Sequence, residues 1–138
     1  MNPTGIEWCT IKDQTGRVIK PGYSWNPVCG CGARCGATVA DPEGWCYARK
    51  VAKNRTGQMC DQFPTKQQVE EHGLEPGESL CGQFWPHLHP LRLPQPTTRQ
   101  EPRGVFVGSM GDMWDPHVVP WWRGKVLDAI YDTPQHTY

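Results

Sequence analysis

Cys31, Cys35 and Cys46 are the residues whose type and spacing point most directly to chemistry. They lie between the turn-like Trp25-Asn26-Pro27-Val28 and a helix-like run beginning Cys46-Tyr47-Ala48-Arg49. Three thiolates drawn together from one loop can hold three irons of a 4Fe–4S cluster and leave the fourth iron open to bind and reduce a ligand. A second reading is open on the same residues. Joined by Cys29, they could close a tetrahedral zinc site, and Cys60 and Cys81 could replace two of the four. Spacing alone does not separate iron–sulfur from zinc, because C-x-C-x3-C is not a standard pair of zinc-ribbon knuckles. Seven cysteines is an odd number, and four of them crowd into positions 29–46. That distribution favours metal over a disulfide framework. Cys9, in an apolar strand-like context, reads as a buried free thiol.

These residues need elements to position them. The alternating, β-branched stretch 6–11 predicts a first strand, followed by a turn at Asp13-Gln14-Thr15-Gly16. Residues 21–44 are mostly Gly, Pro and Cys and read as a functional loop, with Asp41-Pro42-Glu43-Gly44 as a turn inside it. Good helix formers over 46–55 predict a helix stopped by Thr56-Gly57, which places Cys46 at its N-terminus. There the helix dipole and free N–H groups would favour the thiolate. Residues 57–103 form a Pro- and Gly-rich insert with one helix predicted at 65–72, where Thr65 caps and Gln68 follows three residues on. Disorder is expected over 73–79. The apolar run 104–110 predicts a strand buried on both faces, as in a parallel sheet. A loop at Gly111-Asp112-Met113-Trp114-Asp115 leads to a helix over 120–132, opened by Pro120 and closed before Pro134, with an apolar stripe of Val119, Trp122, Val126 and Ala129/Ile130.

The chain has 138 residues, 37% of them hydrophobic, with seven Trp, enough for a single domain with a core. A formal net charge of zero removes any global attraction to nucleic acid or anionic membrane. No stretch approaches the roughly 18 apolar residues of a membrane span and no leader is evident, so a cytoplasmic location is expected.

Six blocks in order resemble a bacteriophage-associated, radical-SAM-like family named after phage gene products thirty-seven and sixty-eight. They are Ile6-Glu7-Trp8, Trp25-Asn26-Pro27-Val28, Cys31 through Cys46-Tyr47-Ala48-Arg49-Lys50, His89-Pro90-Leu91-Arg92-Leu93, Val105-Phe106-Val107-Gly108-Ser109-Met110-Gly111-Asp112-Met113 and His136-Thr137-Tyr138. The resemblance covers the N-terminal portion of that family. It implies an α/β fold, a partial (β/α) barrel of radical-SAM type, truncated, with long irregular loops: one incomplete domain over 1–138, with its cluster loop at 21–46. It also implies a 4Fe–4S cluster on Cys31, Cys35 and Cys46, with Trp45 as the aromatic of the C-x3-C-x-aromatic-C pattern. Ten residues rather than two separate Cys35 from Cys46, so the loop must bulge away from the cluster. Cys9, Cys60 and Cys81 would be dispensable for it.

The implied cosubstrate is S-adenosylmethionine, cleaved after one-electron reduction to give a 5′-deoxyadenosyl radical, with Ser109 and Asp112 beyond the strand end as ligand contacts. Asp112 could equally cap a turn. A reductant would then be needed, the substrate is open with nucleic acid one candidate class, and an uncovered sheet edge would favour oligomers. The rival reading is a zinc-binding structural or interaction module without catalysis, with Trp85, Trp114 and Trp121-Trp122 as a binding face. His87, His89 and Arg92 read either as contacts to phosphate or substrate or as a solvated loop. Lys50, Lys53 and Arg55 read either as nucleic-acid contacts or as a solvated helix face.

Overall fold

The computed structural model describes residues 1–33, 35–38, 40, 41, 44–56 and 60–138. In chain order these form strands β1 (Asn2–Thr4), β2 (Ile11–Lys12), β3 (Val18–Lys20), β4 (Gly22–Trp25) and β5 (Val28–Cys29), helices α1 (Tyr47–Val51) and α2 (Lys66–His72), strands β6 (His87–Leu88) and β7 (Val105–Val107), and helix α3 (Pro120–Tyr131). Short 3-10 turns occupy Glu7–Cys9, Pro90–Arg92 and Pro96–Thr98. The chain divides into two compact units, one of Met1–Pro27, Leu88–Ser109 and Val119–Tyr138, the other of Val28–His87 and Met110–Val118.

In the first unit β4 is the centre of a three-stranded sheet, ordered β1-β4-β7. It pairs antiparallel with β1 through Pro3↔Tyr23 and parallel with β7 through Tyr23↔Val105 and Trp25↔Val107. Pro3 is tolerated because β1 lies at the edge. Trp25 is wholly buried, and its Nε1–H donates to the Arg92 carbonyl at 2.7 Å. Burying an indole of about 200 Å² is worth roughly 5 kcal/mol as an upper figure, so this side chain anchors the unit. Gly22 is required beside it, since a Cβ there would stand 2.3 Å from Cys9 Cβ. Helix α3 starts with Pro120 at its first turn and fully buries Val126, while Val119 stays 38% exposed, so the expected stripe narrows to one fully buried residue.

The expected partial (β/α) barrel of radical-SAM type does not form. Among the described residues there are only small sheets of two or three strands and no closed barrel, and the largest sheet is mixed. The strands are two to four residues long, and an antiparallel neighbour takes one side of β4, where a barrel needs a parallel succession. Local sequence explains the shortness. Where alternation predicts a strand over 6–11, Cys9 N–H bonds to Ile6 O and Thr10 N–H to Glu7 O, both at 3.1 Å, and a tight turn satisfies the amides instead. β7 stops at Val107 because Gly108 turns the chain at φ +77°.

The second unit is mostly loop and turn. Its α2 has the capping box predicted from Thr65 and Gln68: Gln68 N–H donates to Thr65 Oγ1 at 3.2 Å, and Thr65 N–H to Gln68 Oε1 at 2.9 Å. Gly73, left-handed at φ 63°, ends it. Residues 73–79, expected as disorder, run as turns into buried Ser79 and Leu80. The helix predicted over 46–55 is α1 followed by a π-type turn at Ala52–Thr56. The predicted turn residues Pro42 and Glu43 and the stop at Gly57 lie outside the described residues.

Candidate metal centre

Cys81 and His87 are placed by one tight turn of the second unit. Leu80 N–H bonds to Gln62 O at 2.7 Å, Phe84 N–H to Cys81 O at 3.1 Å and Trp85 N–H back to Leu80 O at 2.9 Å. Phe84 takes the left-handed conformation at φ 56°, unusual for a bulky side chain, at a cost of order 1–3 kcal/mol. Its ring is 3% exposed and carries the Arg49 guanidinium 5.1 Å from its centre, and burial of the ring holds the turn in place.

This turn aims His87 inward. The ring is 2% exposed, and Nδ1 lies 2.6 Å from the Trp85 carbonyl, to which it must donate. Nε2 is thereby left as the lone-pair nitrogen. It lies 3.1 Å from Cys81 Sγ and 3.8 Å from Cys60 Sγ. Two ligands bridged by one tetrahedral zinc, with bonds of about 2.3 Å to sulfur and 2.0 Å to nitrogen, stand roughly 3.5 Å apart. The observed distances bracket that value. Among the described residues, the group of three or more donors whose ligand atoms lie within 4.8 Å of one another includes Cys60, Cys81 and His87. Cys60 and Cys81 are joined as a disulfide, with Cα atoms 5.8 Å apart. Both are buried, so their sulfurs face protein rather than solvent.

The three cysteines singled out from sequence sit elsewhere in the same unit and do not form such a group among the described residues. Cys31 and Cys46 are half-buried, Cys35 is exposed, and none of the three is in a disulfide. The loop between them is nonetheless pinched at its neck. A Cβ on Gly44, at φ 60°, would stand 2.2 Å from the Cys35 carbonyl oxygen, and one on Gly36 would meet the Trp45 ring. Residues 35–36 and 44–45 thus lie in direct contact. Arg49 of α1 donates to the Cys31 and Ala33 carbonyls at 3.1 and 2.9 Å, which ties the Cys31 strand end to the helix capped by Cys46. With five residues, α1 offers little of the dipole expected to favour the Cys46 thiolate. Trp45 is 74% exposed.

Burial pushes the Cys31 thiol above its ordinary pKa, and the neighbouring carboxylates of Asp115 and Asp112 push it the same way. Asp115 is buried, which by itself would raise its pKa. Donors outweigh this and hold it low: His117 N–H at 2.9 Å, His117 Nδ1 at 2.8 Å and Gly32 N–H at 2.7 Å. The His117 ring, fixed by this carboxylate, packs against Trp85 in a tilted contact with centroids 4.6 Å apart. Asp112 accepts from Trp114 N–H at 2.8 Å, a turn-capping bond. Ser109 belongs to the first unit, where it donates to Asn26 Oδ1 at 3.1 Å.

Sequence reasoning kept Cys60 and Cys81 as substitute zinc ligands and placed His87 in a phosphate-contacting or solvated segment. The signal that joins them is the spacing C-x20-C-x5-H from Cys60 to His87, too open to resemble a knuckle. No helix among the described residues is long and apolar enough to cross a membrane.

Over residues 4–138 the chain matches a family model described as protein of unknown function (DUF5131). No curated protein and no solved structure matches it.

Proposed function

We propose that this chain, which belongs to the DUF5131 family, is a metal-binding protein. In it Cys60, Cys81 and His87 hold a zinc-type divalent ion when the thiols are reduced. The observation that carries the reading is the orientation of His87, whose Nδ1–H is committed to Trp85 O and whose Nε2 faces two sulfurs. That is the outer-shell arrangement of a ligating histidine. Two thiolates and an imidazole are a donor set that suits tetrahedral zinc. The second unit has few regular elements around these residues, and a metal would cross-link its loops.

The test is metal analysis of protein purified and kept under reductant. One zinc per chain, lost on changing Cys81→Ser or His87→Asn and kept on changing Cys9→Ser, supports the reading. Wild-type zinc content in both ligand variants would remove it.

A second reading, an iron–sulfur cluster on Cys31, Cys35 and Cys46, is favoured by the glycine contacts that close the neck of the intervening loop. Against it stands Asp115, whose charge disfavours a thiolate at Cys31. Anaerobic reconstitution with iron and sulfide, read by absorbance near 400 nm, separates the two. Gly44→Ala would force Cys35 off the neck and abolish the brown colour if this second site is real, while leaving zinc at Cys60 and Cys81 untouched.

A further inference from the structure

The two sulfurs offered to a metal are also the two that are bonded to each other. A thiolate cannot do both, so the arrangement defines two exclusive states of one site. We infer that the Cys60–Cys81 pair is a redox switch for metal occupancy: reduced, it binds the ion, and oxidised by a small hydroperoxide, it closes as the disulfide and releases the ion. This rests on the metal-binding reading above.

The geometry allows the exchange without refolding. A Cα–Cα separation of 5.8 Å lies inside the range of about 4.4–6.8 Å at which a disulfide closes without backbone movement. The His87 ring is held by a bond to Trp85 O in which neither sulfur takes part. Burial selects the oxidant. With Cys60 8% and Cys81 6% exposed, a molecule the size of hydrogen peroxide can approach a sulfur, whereas a bulky disulfide such as oxidised glutathione meets protein first.

The chemistry balances with peroxide alone as oxidant. One metal-bound thiolate attacks a peroxide oxygen, the O–O bond breaks, and a sulfenic acid forms as water leaves after taking up a proton. The second thiolate then attacks that sulfur, the S–O bond breaks, and the hydroxide leaves as a second water after protonation. Two electrons pass from the sulfur pair to one peroxide, two protons are taken up, and the divalent ion leaves without changing its own oxidation state. Zinc, having no redox chemistry, is suited to such a site.

The experiment uses the full chain, reduced, loaded with zinc and freed of excess metal, then titrated with hydrogen peroxide. Zinc release is followed with a chromophoric chelator, and non-reducing peptide mapping identifies the bonded cysteines. The expected result is one zinc released per Cys60–Cys81 disulfide formed, with rebinding after dithiothreitol and zinc are supplied. Cys9→Ser should release zinc at the same peroxide dose. A ligand-pair variant could fail to fold, so oxidised glutathione serves as the second measurement, expected to release at least tenfold less zinc at equal concentration. Zinc bound and then retained while the Cys60–Cys81 peptide appears would overturn the switch and leave the metal site standing. Release without that peptide would also overturn it. A reduced chain that takes up no zinc would refute the metal reading itself.

Discussion

Replacing His87 by Asn separates the metal-binding role proposed for this residue from its packing role. The asparagine amide can reach about as far as Nδ1 and keep donating to the Trp85 carbonyl, the 2.6 Å bond that satisfies an otherwise buried acceptor. It cannot reach the Nε2 position, 3.1 Å from Cys81 Sγ and 3.8 Å from Cys60 Sγ. The metal-free protein therefore loses mainly packing, on the order of 1–2 kcal/mol, from a ring that is 2% exposed. The loaded protein loses a ligand. Outer-shell changes already cost 10–100-fold in affinity, so deleting a direct ligand should cost roughly 100-fold or more, about 3 kcal/mol. Zinc at 100 times its Kd contributes about 2.7 kcal/mol to wild-type stability, near 10 °C in Tm for a chain of this size. Thermal unfolding under reductant, with and without excess zinc, gives both numbers. Wild type should rise by about 10 °C on adding zinc, and the variant by much less, from a metal-free midpoint only a few degrees lower. An equal zinc-dependent rise in the two proteins would refute the role assigned to Nε2.

A strong chelator added to the reduced, loaded protein should lower Tm by the same amount, whereas after peroxide treatment it should have little effect; paired scans check this. Asp115→Asn should cost about 1–3 kcal/mol at neutral pH, because one of its oxygens accepts from Gly32 and the other from His117, and an amide nitrogen can do neither. The Asp115 pKa is depressed in the folded chain. Its contribution is therefore complete above the unfolded value near 4 and fades as pH falls through the lower folded value, so urea midpoints of wild type and variant should converge below about pH 4. Gly22→Ala should destabilise the first unit by roughly 3 kcal/mol or more, since the new Cβ would lie 2.3 Å from Cys9 Cβ and 2.6 Å from the Cys9 carbonyl oxygen. Denaturant titration followed by Trp fluorescence reports it, and a loss under about 1 kcal/mol would show that the Cys9 turn yields readily.

Several local features were readable from residue order because their causes lie within a few positions. The Thr65–Gln68 capping box joins residues three apart, Pro120 opens α3 at its first turn, and the strand predicted over 104–110 is present as its shorter core, Val105–Val107. A metal-binding role was expected from an odd cysteine count and the cluster at 29–46. The expected ligands were cysteines alone, and no histidine was among them. The dense run at 29–46 drew attention because sequence displays proximity along the chain. The group whose donors actually converge spans Cys60 to His87 and depends on a turn in which Phe84 adopts an unusual left-handed backbone. The central strand was hidden for a related reason: Gly22–Trp25 lies in a stretch rich in Gly and Pro, and it becomes a strand only because β1 and β7, from distant parts of the chain, supply partners on both sides. Composition, periodicity and caps thus determined the local helices and turns. Tertiary structure decided the sheet and which Cys and His donors converge, because ladder partners and donor groups meet by approach in space between segments that sequence keeps far apart.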